Sequence, residues 1–183
     1  ALAALGLDFG QEAQNAAFGP AIKGKLRFDW RKNTPLSFSN LDFSGIGYGL
    51  TGGVTISGLT DLAPMVATDL KLEALDLEQF SALTPLGLSG AADLAIKGSI
   101  HPLLGAFDLT FNGQTQDLAT GVAQLDPVLN GPAVLELGVL RNGEGTRVMP
   151  LTIETENARI VGDAHLAQDN SYARASVEMD DMS

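Results

Sequence analysis

The stretch Phe107-Asp108-Leu109-Thr110-Phe111-Asn112 alternates between apolar and polar side chains without interruption. Successive side chains of a β-strand point to opposite faces of a sheet, so this period of two gives the segment one apolar face and one polar face. Such a strand is typical of an antiparallel sheet with solvent on one side. The stretch therefore predicts an antiparallel β structure in which aliphatic and aromatic side chains share a face.

The same alternation recurs along most of the chain, and no ten-residue segment with a clear helical period interrupts it. The pattern Asp-Leu-x-apolar occurs at 69–72, 93–96 and 108–111, which indicates a repetitive protein. We predict an all-β, mostly antiparallel fold. The side chains predicted to share its apolar face are Leu26, Phe28, Trp30, Ile46, Tyr48, Leu50, Val54, Ile56, Leu70, Leu72, Leu94, Ile96, Phe107, Leu109, Phe111, Leu135, Leu137, Val139, Leu151, Ile153, Ile160 and Val177.

Glycines separate the alternating segments and predict where the strands turn. Gly52-Gly53 stands between Leu50 and Val54, which predicts a hairpin at that point. Further turns are predicted at Gly98, Asn112-Gly113, Asn130-Gly131, Asn142-Gly143 and Gly162.

Three places carry signals for short helical turns. Asp76 with Gln79 three residues later is a variant of the capping box, with Leu77, Phe80 and Leu83 on one side. A second turn is predicted from Leu118, Val122 and Leu125, and a third from Asp126-Pro127, where proline occupies the first helical position. Residues 1–20, with an Ala-rich part from 11 to 18, are predicted as helix or loop.

Composition and charge exclude several classes of function. The 183 residues carry 11 basic and 22 acidic side chains, a net charge of −11, which would repel a nucleic-acid backbone. The chain has no cysteine, so it has no disulfide framework and no thiolate nucleophile or ligand. Its opening Ala1-Leu2-Ala3-Ala4 has neither an initiator Met nor a basic region, and we expect residues 1–183 to be a single fragment of a longer repetitive β protein.

Motifs for catalysis or cofactor binding fail in their context. Gly19 to Lys25 begins like a phosphate-binding loop, but Leu26 replaces the Ser or Thr and a strand follows where a helix is needed. Residues 47–52 match the Gly-x-Gly-x-x-Gly fingerprint of dinucleotide-binding proteins, but they lie within predicted strands and no helix follows them. His101 and His165 are read as solvated surface side chains, and the carboxylates as a solvated face. We expect no catalytic residues, no cofactor and no metal.

The run from Leu75 to Gly131 carries a cadence of glycines and leucines. It contains Leu-Asp-Leu-x-x-Phe-x-x-Leu, Leu-x-Gly at 88–90, Gly-Ser-Ile-x-Pro-Leu-x-Gly-Ala-Phe-Asp-Leu-Thr-Phe-x-Gly at 98–113, and Leu-Asp-Pro-x-Leu-x-Gly. This run resembles the periplasmic part of the TamB-type translocation and assembly module family, among the AsmA-like bridge-forming proteins. The match is best over 75–131, and the rest of the chain is similar only in strand style.

The resemblance implies a curled sheet that forms an elongated open trough, a β-taco, with one to three short helical turns. It also implies a periplasmic segment of an inner-membrane-anchored bridge protein that supports outer-membrane biogenesis through phospholipid passage or outer-membrane protein assembly. Its partners would be phospholipid acyl chains and an outer-membrane assembly barrel of the TamA type. The family's C-terminal signature is not seen, so an internal periplasmic fragment is expected.

A physical argument supports an apolar groove independently of the resemblance. Moving one 16-carbon acyl chain through water exposes apolar surface worth on the order of 12 kcal/mol, which an oily trough would largely avoid. The predicted apolar residues given above are therefore the candidates for a lipid-facing lining. Three alternatives stay open: a closed β-sandwich or barrel that binds one small hydrophobic ligand, a repetitive surface protein with a solid core, and, as the least favoured, an enzyme. Unpaired sheet edges would also allow edge-to-edge self-association.

Overall fold

The computed structural model of the protein describes residues 2–5, 12–59, 63–84, 86–123 and 126–179. Its strands form one sheet whose spatial order is the chain order, and each strand is antiparallel to its neighbours. The first and last strands are the two edges, so the sheet is not closed. The strands are β1 (Leu2–Leu5), β2 (Ala21–Asp29), β3 (Leu36–Gly45), β4 (Tyr48–Ser57), β5 (Met65–Ala74), β6 (Ser89–His101), β7 (Ala106–Ala119), β8 (Pro132–Asn142), β9 (Gly145–Thr155), β10 (Ala158–Leu166) and β11 (Tyr172–Met179).

The helical elements are short and occur in the connections. They are α1 (Glu12–Phe18) and α2 (Asp126–Leu129), with 3₁₀ helices over Leu77–Leu83 and Pro102–Leu104. Because the strands alternate in direction, all connections after odd-numbered strands lie at one side of the sheet. We call this the helical side, since it holds α1, the 77–83 helix and α2; the 102–104 helix lies at the opposite side. No helix in the described ranges is long and apolar enough to cross a bilayer.

Register between the strands aligns the apolar side chains in rows across the sheet. Leu72 pairs with Leu50 on one side and with Leu94 on the other, and directly opposite residues project to the same face. This row continues through Gly113, Leu135, Ile153, Ile160 and Val177, and a parallel row runs through Leu41, Gly52, Leu70, Ile96, Phe111, Leu137, Leu151 and Gly162. We call the surface that carries these rows the apolar face, and the other surface the polar face.

Glycines inside the strands bend the sheet. Gly52 and Gly98 have φ of 127° and 139°, and a Cβ at either would overlap a carbonyl oxygen of the neighbouring strand. A Cβ at Gly113 would overlap the carbonyl oxygen of Asp93 in the same way. Glycine kinks and bulges are the features that give a sheet strong curvature. Here bulges interrupt the register of β2 with β3, β3 with β4, β6 with β7, β8 with β9 and β9 with β10, and the result is the curled, open all-β trough predicted.

The same glycines correct several predicted turns. Gly52-Gly53 lies in the middle of β4, not in a hairpin; the turn is at Ile46-Gly47, where Gly45 pairs with Tyr48. Gly98, Asn112-Gly113 and Gly162 also lie within strands. The turn at Asn142-Gly143 is confirmed, with the Asn142 Oδ1 accepting a 2.9 Å hydrogen bond from the Glu144 N–H.

Of the three predicted helical turns, two are present in the structure and one is not. Asp76 caps the 77–83 helix by accepting a 2.9 Å hydrogen bond from the Glu78 N–H. The helix predicted at Asp126-Pro127 is present as α2, which starts at Asp126, one residue before the predicted first position. The turn predicted from Leu118 is wrong because Leu118 belongs to β7, and Leu125 lies outside the described residues. Within residues 1–20, α1 supplies the helix and β1 adds a strand that was not predicted.

A small core lies at the helical side of the apolar face. Leu129 of α2 is 1% exposed, and Leu77 of the 77–83 helix packs in the same cluster. The rings of Phe18, Tyr48 and Phe80 meet edge to face with centroids 5.6 to 6.3 Å apart. The cluster also includes Ala74, Ala92, Leu118, Ala133, Ile153 and Ile160. Burial therefore concentrates where the short helices cover the sheet.

Candidate functional site

The apolar face brings together most of the residues that the alternation singled out. Register places Phe28 opposite Phe38, and Phe111 between Ile96 and Leu137. The predicted residues on this face are Leu26, Phe28, Tyr48, Leu50, Val54, Ile56, Leu70, Leu72, Leu94, Ile96, Phe107, Leu109, Phe111, Leu135, Leu137, Val139, Leu151, Ile153, Ile160 and Val177.

Two predicted residues lie outside the strands. Trp30 follows the last residue of β2 and is 63% exposed, because the strand ends at Asp29 before the alternation does. Ile46 occupies the two-residue turn with Gly47 and is 71% exposed. Neither side chain belongs to a row of the apolar face.

The apolar residues of β3 are not among those that the alternation predicted. Leu36 and Phe38 alternate in one phase and Leu41 and Phe43 in the other, so no single period of two covers the strand. The structure places a bulge between Phe38 and Leu41, where Asn40 has a φ of 54°. Asparagine tolerates this left-handed conformation better than most residues. Asn40 was therefore the residue from which the bulge could have been predicted. Val66, Ile100 and Val148 also join the face by register.

Most of the apolar face is not covered by a second layer. The elements that pack over it in the described part of the chain are the short helices at the helical side. Side chains of the central rows, such as Leu70, Ile96 and Leu137, stay half-buried, and Phe28 is 67% exposed. The chain exposes 11870 Å², about 40% more than the roughly 8400 Å² typical of a compact protein of this mass. The face is thus an open groove with one covered rim.

The polar face carries ion pairs within β5 and between β5 and β6. Lys71 Nζ lies 2.9 Å from a Glu73 carboxylate oxygen and 3.1 Å from one of Asp93. The hydrogen bonds to Glu73 and then to Asp93 raise the pKa of Lys71 above its ordinary value. Lys97 reaches Asp69 at 3.4 Å. Because these groups are exposed, the pairs contribute little to stability.

Two shallow depressions lie on the polar face rather than in the groove. The larger, about 800 Å³, is open to solvent and bears the carboxylates of Glu73, Asp93, Glu154 and Glu156 above small residues of β5 to β9. The second, about 490 Å³, surrounds Gly52 and Gly113. In the described ranges no group of three metal-ligating side chains comes together.

The two histidines occupy separate positions. His101 ends β6, and His165 in β10 packs against the Tyr172 ring at 6.0 Å between centroids. Neither has a nucleophile or carboxylate partner in the ion-pair and hydrogen-bond geometry of the described residues.

The chain matches no protein-family model, no curated protein and no solved structure.

Proposed function

We propose that the apolar face holds phospholipid acyl chains and that the chain is a non-enzymatic segment of a bridge protein of the TamB type. In this proposal it works in the periplasm, as part of an inner-membrane-anchored protein, and supports outer-membrane biogenesis by phospholipid passage or outer-membrane protein assembly. The observation that carries the proposal is the set of continuous apolar rows, left half-buried by a single-layer open sheet. An assembly barrel of the TamA type is the partner that the family resemblance suggests for the longer protein.

The dimensions of the rows suit a lipid tail. A row from β3 to β11 crosses eight strand spacings, or about 38 Å at the usual 4.8 Å spacing. One leaflet of a bilayer has a hydrocarbon thickness of about 15 Å. A tail therefore covers less than half of a row, and it finds equivalent aliphatic surface as it moves along the groove.

The chemistry of the lining favours sliding over tight binding. The rows consist mainly of aliphatic and aromatic side chains and glycines. Thr68, Thr115 and Thr155 are polar members, and Arg141 and Thr146 lie where the rows end, away from the helical side. A specific pocket fixes its ligand with a few placed polar groups, and an evenly apolar surface does not. Burial of acyl chains would nevertheless offset a transfer cost on the order of 12 kcal/mol per 16-carbon chain.

Photocrosslinking from adjacent residues of β7 tests the proposal. A photoreactive side chain at Leu109 or Phe111 lies on the apolar face, whereas one at Thr110 or Asn112 lies on the polar face of the same strand. With vesicles of phosphatidylcholine, we expect lipid adducts from the first pair and several-fold fewer from the second. Equal labelling from both faces would contradict a groove.

A charge placed in the groove provides a second test. Leu137 is directly opposite Phe111 and half-buried, so Leu137→Glu puts a carboxylate beside the probe at Phe111. We expect lipid labelling at Phe111 to fall several-fold, because an acyl chain cannot solvate the charge. The matched control is Glu136→Gln on the polar face, which should leave labelling unchanged. Unchanged labelling in Leu137→Glu would count against the groove.

The alternative function is a closed sandwich or barrel that binds one small hydrophobic ligand. The linear strand order with β1 and β11 at separate edges favours the groove over this alternative. Native mass spectrometry separates the two: mixed lipids in variable number support the groove, and one ligand of defined mass per chain supports the alternative.

A further inference from the structure

Arg141 is the one charged side chain that strand register places on the apolar face, among the residues that the structure describes. It lies on β8 in the last row away from the helical side, with Phe107 opposite it on β7 and Thr146 opposite it on β9. Its side chain is exposed. A cation at the end of an apolar surface is accessible to a ligand that is itself partly apolar and partly charged.

The guanidinium of Arg141 has no partner within the described part of the chain. None of the ion pairs there includes it, and Glu144, in the turn after β8, lies outside salt-bridge distance. Thr146 is half-buried and carries a hydroxyl on the same face. A guanidinium can donate two parallel hydrogen bonds to a phosphate, and a hydroxyl can donate a third. Arg141 and Thr146 together therefore have the donors that a phosphate group requires.

The open surface next to Arg141 has the length of one acyl chain. Along β8, Val139, Leu137 and Leu135 lie on the apolar face between Arg141 and the covered core. Leu135 lies six residues before Arg141, which corresponds to about 20 Å of strand. The hydrocarbon of one bilayer leaflet is about 15 Å thick. A tail whose headgroup lies at Arg141 therefore ends where Leu135 packs against the core.

The charges at the helical side favour the same orientation. In their described residues, the connections at this side have no basic side chain, and they carry the carboxylates of Glu12, Asp76, Glu78, Asp126 and Glu156. These carboxylates would repel a phosphate. The short helices also cover the apolar face there. A phospholipid in the groove would therefore place its phosphate at the side opposite the helical side.

We propose that Arg141 binds the phosphate of a phospholipid and orients the lipid in the groove, with a tail along β8 toward the helical side. This inference rests on the proposed function, because it uses the same groove, and it adds recognition of the part of the lipid that the apolar rows do not contact. The rows continue on both sides of β8. A lipid can therefore leave this position along the groove once its phosphate is released from Arg141.

A phosphatidylcholine with a diazirine at the methyl end of one tail tests the orientation. This lipid has a phosphate but no net charge, so the net charge of −11 on the chain does not repel it. After irradiation, mass spectrometry compares adducts at Leu135, beside the core, with adducts at Val139, beside Arg141. In the wild type we expect about five-fold more adducts at Leu135, the effect of one exposed ion pair.

Variants and a second lipid isolate the contribution of the guanidinium. Arg141→Gln should abolish the excess of adducts at Leu135, whereas Arg141→Lys should keep most of it because a cation remains. The matched control is Arg147→Gln, which should leave the excess unchanged: Arg147 is also exposed near the β8–β9 turn, but on the polar face opposite Leu140. Diacylglycerol with the same labelled tail lacks the phosphate, so we expect similar numbers of adducts at Leu135 and Val139.

The outcomes separate this inference from the proposed function. The role of Arg141 would be overturned, and the groove would stand, if adducts on the apolar face showed no excess at Leu135 in the wild type. An excess that persists in Arg141→Gln, or an equal excess with diacylglycerol, would have the same meaning. An absence of adducts on the apolar face with both lipids would overturn the groove and this inference together.

Discussion

Gly98 illustrates how one residue without a side chain shapes the sheet. It lies inside β6 with a φ of 139°, opposite Leu109, and a Cβ at this position would overlap the carbonyl oxygen of Asp108. L side chains rarely adopt this backbone conformation, so both the strain and the clash oppose a larger residue. The bend in β6 thus depends on the absence of a methyl group.

We expect Gly98→Ala to lower the free energy of unfolding by about 1–3 kcal/mol, measured by urea denaturation. Gly143→Ala is the matched control, because its Cβ would meet nothing within 4 Å. That variant should change stability by less than about 0.5 kcal/mol. Equal stabilities of the two variants would show that β6 does not need the bend.

Thr115 is a buried polar residue beside the apolar cluster at the helical side. It is 5% exposed, lies between Ala92 and Ala133, and its hydroxyl has no hydrogen-bond partner among the described residues. An unsatisfied buried hydroxyl costs free energy that a methyl group of similar size does not.

We therefore expect Thr115→Val to raise the free energy of unfolding by about 1 kcal/mol. Thr110→Val, on the exposed polar face, should change it by less than about 0.5 kcal/mol. Thermal or urea unfolding measures both. A loss of stability in Thr115→Val would mean that the hydroxyl makes a compensating hydrogen bond.

Among the elements, the connection from β7 to α2 depends on one carboxylate. Asp126 Oδ1 accepts hydrogen bonds from the Thr120 N–H at 2.7 Å and from the Thr120 hydroxyl at 3.0 Å. The backbone hydrogen bond is the main cause that lowers the pKa of Asp126 below its ordinary value of 3.8. A carboxyl group whose pKa is lower in the folded state stabilises the fold above its unfolded pKa.

The contribution of Asp126 is therefore present at neutral pH and is lost as the pH falls below 3.8, through the folded pKa. We expect Asp126→Asn to be less stable than the wild type at pH 7. The difference should shrink as the pH falls below that value, in urea unfolding measured across the range. A difference that stays constant with pH would assign the effect to packing instead of charge.

The elements also show how far sequence patterning reaches. Strands with an unbroken period of two, such as β7, could be predicted together with the side chains of each face. In β3 a bulge between Phe38 and Leu41 shifts the alternation of apolar and polar side chains, and in β9 a bulge between Val148 and Leu151 does the same. The alternation alone therefore misses such a strand or predicts only part of it. Glycine is ambiguous for the same reason, since it serves both turns such as Asn142-Gly143 and bends such as Gly98.

For the whole molecule, alternation predicts an apolar face but not what covers it. A closed barrel, a sandwich and an open trough can all arise from the same period of two. What separates them here is the linear strand order and the coverage of the face by α1, the 77–83 helix and α2 at one side only. Those features depend on contacts distant in sequence, such as Phe18 with Tyr48 and Phe80.

The linear order also predicts an uneven stability. Each strand packs chiefly against its neighbours in the chain, as in repeat proteins, so the edges open more readily than the centre. In hydrogen exchange, we expect amides of the edge strands β1 and β11 to exchange fastest and those of β6 to β8 slowest. Uniform protection from β2 to β11 would indicate a single cooperative unit instead.

The chain-order topology has a further consequence for how such a protein changes in length. Two adjacent strands and their turn can be deleted or duplicated without changing the path of any other segment, because the strands on either side remain antiparallel neighbours. Each such unit alters the span by about 10 Å. If the chain is part of a bridge, as we propose, the number of hairpins sets the distance that the bridge spans, and the apolar and polar faces stay aligned as hairpins are added.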